Sequence, residues 1–144
     1  MAEVSDIAGY MQAAATKRFA WGARFSGSQD CCTFAWDWVA LRTGVDAMAD
    51  LRGRYGDMQE ALSLLRANGC ETLSEAVRQG AARAGLVETA QPRLGDIGLV
   101  AMDMEDGRLG AEVLCVRLST AWAAPTVRGV AETRAPASIC WRVP

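Results

Sequence analysis

Apolar residues recur at helical spacing along the first part of the chain. The first such series consists of Ile7, Tyr10, Met11 and Ala14. Positions three and four apart lie on one face of an α-helix. Three further series each begin at a residue that can cap a helix and end at a glycine. They run from Asp30 to Gly44, from Asp57 to Gly69 and from Thr72 to Gly85. The pattern therefore predicts four helices.

Each predicted helix has an apolar face that we expect to be buried. In the second helix this face consists of Cys31, Phe34, Ala35 and Trp38, with Leu41 near it. In the third helix it consists of Met58, Ala61, Leu62 and Leu65. Trp36 and Trp38 are two positions apart and cannot share one face. We therefore expect one of the two tryptophans to reach the surface or a partner.

The pattern changes after Pro92, where short runs with β-branched or aromatic residues are separated by Gly, Pro and Asp. The runs cover residues 97–102, 111–118, 126–130 and 138–143. Asp106 and Gly107 are typical of a hairpin turn between two of these runs. We predict an α+β fold in which N-terminal helices pack on a small C-terminal antiparallel sheet. The length of 144 residues suits a single domain over residues 1–144.

Composition and charge exclude several classes of function. Apolar residues make up 51% of the chain and charged residues 22%, which suits a domain with a real core. The net charge of −2 leaves no basic surplus for binding nucleic acid. The sequence contains no histidine, which removes histidine metal ligands and histidine general bases. We expect no cofactor and no metal.

The chain has the features of a protein made in a bacterial cytoplasm. No run approaches the ~18 consecutive apolar residues of a membrane span, and the first ten residues do not read as a signal peptide. The five cysteines include no C-x-x-C pair, which argues against zinc ribbons and thioredoxin-type motifs. We expect Cys70, Cys115 and Cys140 to lie in the core, where free cysteines are common.

Cys31 has the setting of a reactive thiol. It follows a loop rich in glycine and serine, residues 19–29, and opens the second predicted helix behind Asp30. Unpaired amides and the positive end of the helix dipole favour a thiolate at such a position. One alternative is a helix residue without a chemical role. Another is a thiol-based sensor that uses Cys31 and Cys32.

Three motifs surround this thiol. They are Phe19-Ala20-Trp21-Gly22, Asp30-Cys31-Cys32-Thr33-Phe34 and, further on, Gly95-Asp96-Ile97. Together they resemble the NlpC/P60 superfamily, papain-like cysteine peptidases that cut bacterial cell-wall peptides. The resemblance implies an NlpC/P60-type fold with Cys31 at the nucleophile position. It also implies that Asp30 and Cys32 are positioning residues beside the oxyanion site.

The resemblance also implies that the general base is lost. Arg108-Leu109-Gly110 stands where the superfamily has His-Val-Gly. Arg108 would stay protonated and cannot take the thiol proton. Loss of a positioned acid–base group typically costs about 10²–10⁴-fold in rate. We therefore expect no peptide-bond hydrolysis, unless an Asp, Glu or Lys replaces the histidine.

The middle of the chain carries a second resemblance. The matching segments are Val45-Asp46, residues 51–55 and Ala61-Leu62. They resemble a family of small NlpC/P60-like proteins from phages and prophages of Gram-negative bacteria, often encoded among tail genes. This implies a structural component of a phage, prophage or gene-transfer-particle tail, near the tip or hub, bound to other tail proteins. The alternative is an active cell-wall cysteine endopeptidase or amidase that cleaves peptidoglycan peptides as the genome enters the cell.

Five residues are candidates for contacts with such partners. Trp21 and Trp36 belong to a type that can form a platform for a peptide or glycan. Arg52, Arg54 and Tyr55 belong to types that are favoured at interfaces. The alternatives are core packing for the tryptophans and a solvated loop for the other three residues.

Overall fold

The computed structural model describes residues 6–103 and 111–144. Within these ranges the α-helices are α1 (Ile7–Ala15), α2 (Cys31–Thr43), α3 (Met58–Ala67) and α4 (Leu73–Arg83), and a short 3-10 helix covers Trp21–Ala23. Each α-helix begins behind a side-chain cap, and the four caps are Asp6, Asp30, Asp57 and Thr72. The capping chemistry is therefore what sets the helix starts. No helix in the described ranges has the length and hydrophobicity that a membrane span requires.

The strands form one short pair and one larger sheet. β1 (Arg18–Phe19) and β2 (Ser28–Gln29) pair in parallel across the glycine-rich loop. The larger sheet is antiparallel and has the order β3-β8-β4-β5-β6-β7. Its strands are β3 (Val87–Glu88), β4 (Ile97–Met102), β5 (Ala111–Arg117), β6 (Trp122–Thr126), β7 (Gly129–Thr133) and β8 (Ala137–Arg142). The predicted α+β class is confirmed, and the predicted turn at Asp106 and Gly107 lies outside the described residues.

One predicted strand is wrong. Residues 126–130 form the hairpin between β6 and β7, in which Thr126 pairs with Gly129 and the chain reverses between them. The preceding strand, β6, has two buried alanines at its centre. Alanine has little strand propensity, so the residue pattern did not mark β6. The residue pattern also did not predict the two-residue strands β1, β2 and β3.

The core lies between α2 and the sheet. Phe34 and Val39 of α2 are fully buried in one apolar cluster with Leu99 of β4 and Leu114 of β5. α1 closes this cluster, because the Tyr10 hydroxyl donates a hydrogen bond to the Phe34 carbonyl. α2 is therefore enclosed by the sheet on one side and by another helix on a second side.

The expectation that Trp36 or Trp38 reaches the surface is wrong. Both side chains are buried, at 3% and 4% exposure. Trp36 lies against Gly80 of α4, where an added Cβ would come within 2.8 Å of the Trp36 ring. The Trp38 indole donates to the Gly95 carbonyl at 2.7 Å. Because α2 has neighbours on several sides, it buries residues that a single apolar face would leave exposed. Leu41, which the pattern places near the buried face, is instead 55% exposed.

The expected burial of the α3 stripe is also wrong. No residue of α3 is buried, and Leu62 is 37% exposed. The helix is amphipathic: Ala61 and Leu64 pack against the edge of the core, while Met58, Leu62 and Leu65 border a groove. An apolar helix face that lines a groove is available to a ligand.

Candidate functional site

Asp30 sets the position of Cys31. Asp30 is the N-cap of α2, and Cys31 is the first residue of that helix. The Thr33 amide donates to Asp30 Oδ1 at 2.8 Å, and the Asp30 amide donates to Thr33 Oγ1 at 2.9 Å. This reciprocal pair is a capping box that fixes the first turn. The amides of Cys31 and Cys32, which precede Thr33, have no acceptor within the helix.

The second oxygen of Asp30 joins two more segments to the same point. The Gly22 amide donates to Asp30 Oδ2 at 2.8 Å, and the Tyr55 hydroxyl donates to it at 2.5 Å. Burial raises the pKa of the Tyr55 phenol, and neighbouring acidic groups that include Asp30 raise it further. Tyr55 therefore stays protonated and acts as a donor. Asp30 is only 1% exposed, and its carboxylate accepts three hydrogen bonds.

Gly22 lies where the loop before Cys31 and the segment at Tyr55 come close together. Its φ is +73°, and an added Cβ would lie 2.5 Å from the Tyr55 carbonyl oxygen. The Gly22 carbonyl also accepts a hydrogen bond from the Gly53 amide at 2.8 Å. A residue without a Cβ can adopt this conformation and let the two backbones meet. The loop before Cys31 and the segment at Tyr55 are thus held together.

Two neighbouring thiols are kept neutral beside Cys31. A hydrogen bond with the Cys31 side chain raises the pKa of Cys32 well above its usual value, and burial adds to this. Burial raises the pKa of Cys115, and the nearby Cys31 raises it further. Neither thiol can serve as a base near neutral pH. The three cysteines that we expected in the core are buried, and their thiols are free: they are Cys70, Cys115 and Cys140.

A groove of about 350 Å³ runs past Cys31. Its walls include Trp21, Leu51 and Tyr55 on one part and the α3 residues Leu62 and Leu65 on another. Cys31 itself is 8% exposed. A largely apolar concavity of this size with a few polar groups is the usual form of a ligand site.

The groove offers few groups that could move a proton. Among the described residues that line it, the only carboxylates are those of Asp30 and Glu112, and there is no lysine or arginine. Asp30 is already engaged by three donors. The Glu112 carboxylate accepts a hydrogen bond from Ser138 at 3.1 Å. Arg108, the position of the missing base, lies outside the described residues.

Glu112 is the carboxylate of the described lining that the residue pattern did not indicate. It is the second residue of β5, at the start of a run that the sequence marks as a strand. Alternation along a strand assigns residues to two faces, but it does not say which end of the strand meets the start of α2. The position of Glu112 at the groove follows from the packing of α2 on the sheet.

The structure brings together Trp21, Asp30, Cys31, Cys32 and Tyr55, which all line the groove. Among the other candidates within the described residues, Trp36, Arg52 and Arg54 do not line it. Trp36 is buried against Gly80. Arg52 is committed to ion pairs with Asp37 at 2.7 Å and Asp46 at 3.1 Å. Arg54 is exposed and donates to the Asp50 carbonyl at 2.9 Å.

Comparison with known families gives one match. A family described as a domain of unknown function, DUF6950, matches residues 3–143, and the chain belongs to this family. No curated protein and no solved structure gives a significant match.

Proposed function

We propose that this member of the DUF6950 family is a catalytically degenerate NlpC/P60-like domain. It acts as a structural or interaction component near the tip or hub of a phage, prophage or gene-transfer-particle tail. The observation that carries the proposal is the setting of Cys31. The thiol stands at the start of α2 beside a groove, and the buried Asp30 carboxylate next to it already accepts three hydrogen bonds.

The chemistry of amide hydrolysis explains why this setting supports a degenerate enzyme. A cysteine peptidase needs a group that takes the thiol proton and then protonates the leaving amine. Asp30 holds Gly22, Thr33 and Tyr55, and releasing them would disrupt the site. Tyr55 is held protonated and so cannot accept a proton. Asp30 and Tyr55 therefore hold the nucleophile in place, and neither is available to take its proton.

The tail location is supported by the resemblance of residues 45–62 to proteins encoded among tail genes. Two of the resembling residues have structural roles in the fold. Tyr55 bonds to Asp30, and Arg52 ties the segment to α2 through Asp37. The proposed partners are other tail proteins, and the net charge of −2 argues against nucleic acid.

The proposal predicts that the chain is part of the assembled particle and that its thiol is dispensable there. Particles purified from a strain that carries the gene should contain the chain in a fixed ratio to the major tail proteins, measured by quantitative mass spectrometry. Cys31→Ala should leave this ratio and the infectivity of the particles unchanged, because no bond-breaking step depends on the sulfur. Absence of the chain from purified particles would contradict the proposal.

A second candidate function is supported by Glu112. This carboxylate-bearing residue lines the same groove as Cys31, and a glutamate can act as a general base when it is correctly placed. The protein would then be an active cell-wall cysteine endopeptidase or amidase that acts on peptidoglycan peptides. This function requires release of peptides that depends on both Cys31 and Glu112.

A further inference from the structure

We propose that the groove holds a single hydrocarbon chain and that Cys31 accepts the acyl group of such a chain from an acyl thioester. This inference goes beyond the proposed function and does not depend on where the protein is located. It rests on the lining of the groove, on the state of its polar groups and on the chemical difference between an amide and a thioester.

The lining favours hydrocarbon over a peptide or a glycan. Peptides and glycans carry amides and hydroxyls that must keep hydrogen-bond partners when they are buried. In the described part of the lining, the Asp30 carboxylate and the Tyr55 hydroxyl are already bonded to each other, and the Glu112 carboxylate is bonded to Ser138. Most of the remaining wall consists of Met, Leu, Ala and Val side chains. A hydrocarbon chain has no polar groups, so it loses no hydrogen bonds when it is buried in this environment.

The position of α3 also favours an inserted chain. Met58, Ala61, Leu62 and Leu65 form an apolar stripe along this helix and line the groove, although no residue of α3 is buried. A chain lying along the stripe would cover apolar surface that the fold itself leaves exposed. Each methylene removed from water in this way strengthens binding about fourfold.

A thioester suits a thiol that has no proton shuttle. The Cys31 thiolate attacks the carbonyl carbon, a new carbon–sulfur bond forms, and the bond to the leaving sulfur breaks. The leaving thiolate takes from solvent the proton that Cys31 released, so nothing is oxidised or reduced. A thiolate is a far better leaving group than an amine and departs without being protonated. The amides of Cys31 and Cys32, which lack acceptors within α2, can bind the oxygen of the intermediate.

Acylation with synthetic thioesters tests this inference. The intact protein is incubated at neutral pH with the decanoyl or the acetyl thioester of N-acetylcysteamine, and adducts are followed by mass spectrometry. At subsaturating concentration the decanoyl group should be transferred at least about 100-fold faster than the acetyl group, because only the long chain gains from the groove. Cys31→Ser should abolish the adduct, and Cys70→Ser, which changes a cysteine that does not line the groove, should retain it.

Two leucines provide matched variants for the groove. Leu62→Glu should remove the advantage of the decanoyl group, because a charge enters the groove wall. Leu41→Glu should keep it, because Leu41 is an exposed helix residue that does not line the groove. In the unchanged protein, decanol should slow transfer of the decanoyl group but not of the acetyl group. Equal rates for the two thioesters, adducts that persist in Cys31→Ser, or no effect of decanol would each overturn the inference.

Discussion

Replacing Asp30 by alanine should lower the free energy of unfolding by about 4 kcal/mol. The expected loss combines about 1 kcal/mol for the helix cap with about 1–3 kcal/mol for each buried donor left without an acceptor. These donors are the Gly22 amide and the Tyr55 hydroxyl, which both bond to Asp30 Oδ2. The quantity to measure is the unfolding free energy from urea denaturation at neutral pH.

Asp57→Ala is the matched control for this variant. Asp57 caps α3 in the same way, with the Glu60 amide donating to it at 2.7 Å, but the bond is exposed. Its removal should cost only about 1 kcal/mol, the usual value for a lost helix cap. If both variants lost the same stability, Asp30 would be an ordinary cap and not the point at which three segments of the site meet.

The second large effect is expected from Gly22→Ala, which should lose at least about 3 kcal/mol through backbone strain and steric overlap. The new Cβ would lie 2.5 Å from the Tyr55 carbonyl oxygen at a φ of +73°. Either the loop or the Tyr55 segment must then move away from Asp30. Urea denaturation measures the loss. The part of the tryptophan fluorescence that Trp21→Phe removes reports the displacement, because Trp21 lines the groove.

The variant Gly27→Ala separates the cost of backbone strain from the cost of steric overlap. Gly27 lies in the same loop at a φ of +72°, and nothing lies within 4 Å of the position of an added Cβ. This variant should lose only about 1–2 kcal/mol, the cost of a left-handed conformation for a residue with a side chain. A loss as large as that of Gly22→Ala would show that the contact with Tyr55 does not hold the site together.

The local features of the fold could be predicted from the sequence because they depend on neighbouring residues. The start of α2 behind Asp30 follows from a capping box within four residues. The strands β4 and β8 follow from runs of apolar and β-branched residues. The α+β class follows from the order in which these patterns occur along the chain.

The groove and its connections could not be predicted because they depend on residues far apart in the chain. Tyr55 lies 25 residues from the carboxylate to which it donates, and its type alone indicated an interface. Trp36 is buried because α4 passes beside it at a glycine. The stripe of α3 has the pattern of a buried face, and no sequence pattern distinguishes a groove wall from a core.

The central claim is that the described part of the fold positions the Cys31 sulfur but offers it no uncommitted group to transfer its proton in amide hydrolysis. The most direct test is incubation of the wild-type protein and Cys31→Ala with purified peptidoglycan, with released peptides identified by mass spectrometry. An active NlpC/P60 peptidase serves as the positive control. The account predicts that both proteins release no more peptide than buffer does. Release by the wild type that disappears in Cys31→Ala would contradict it.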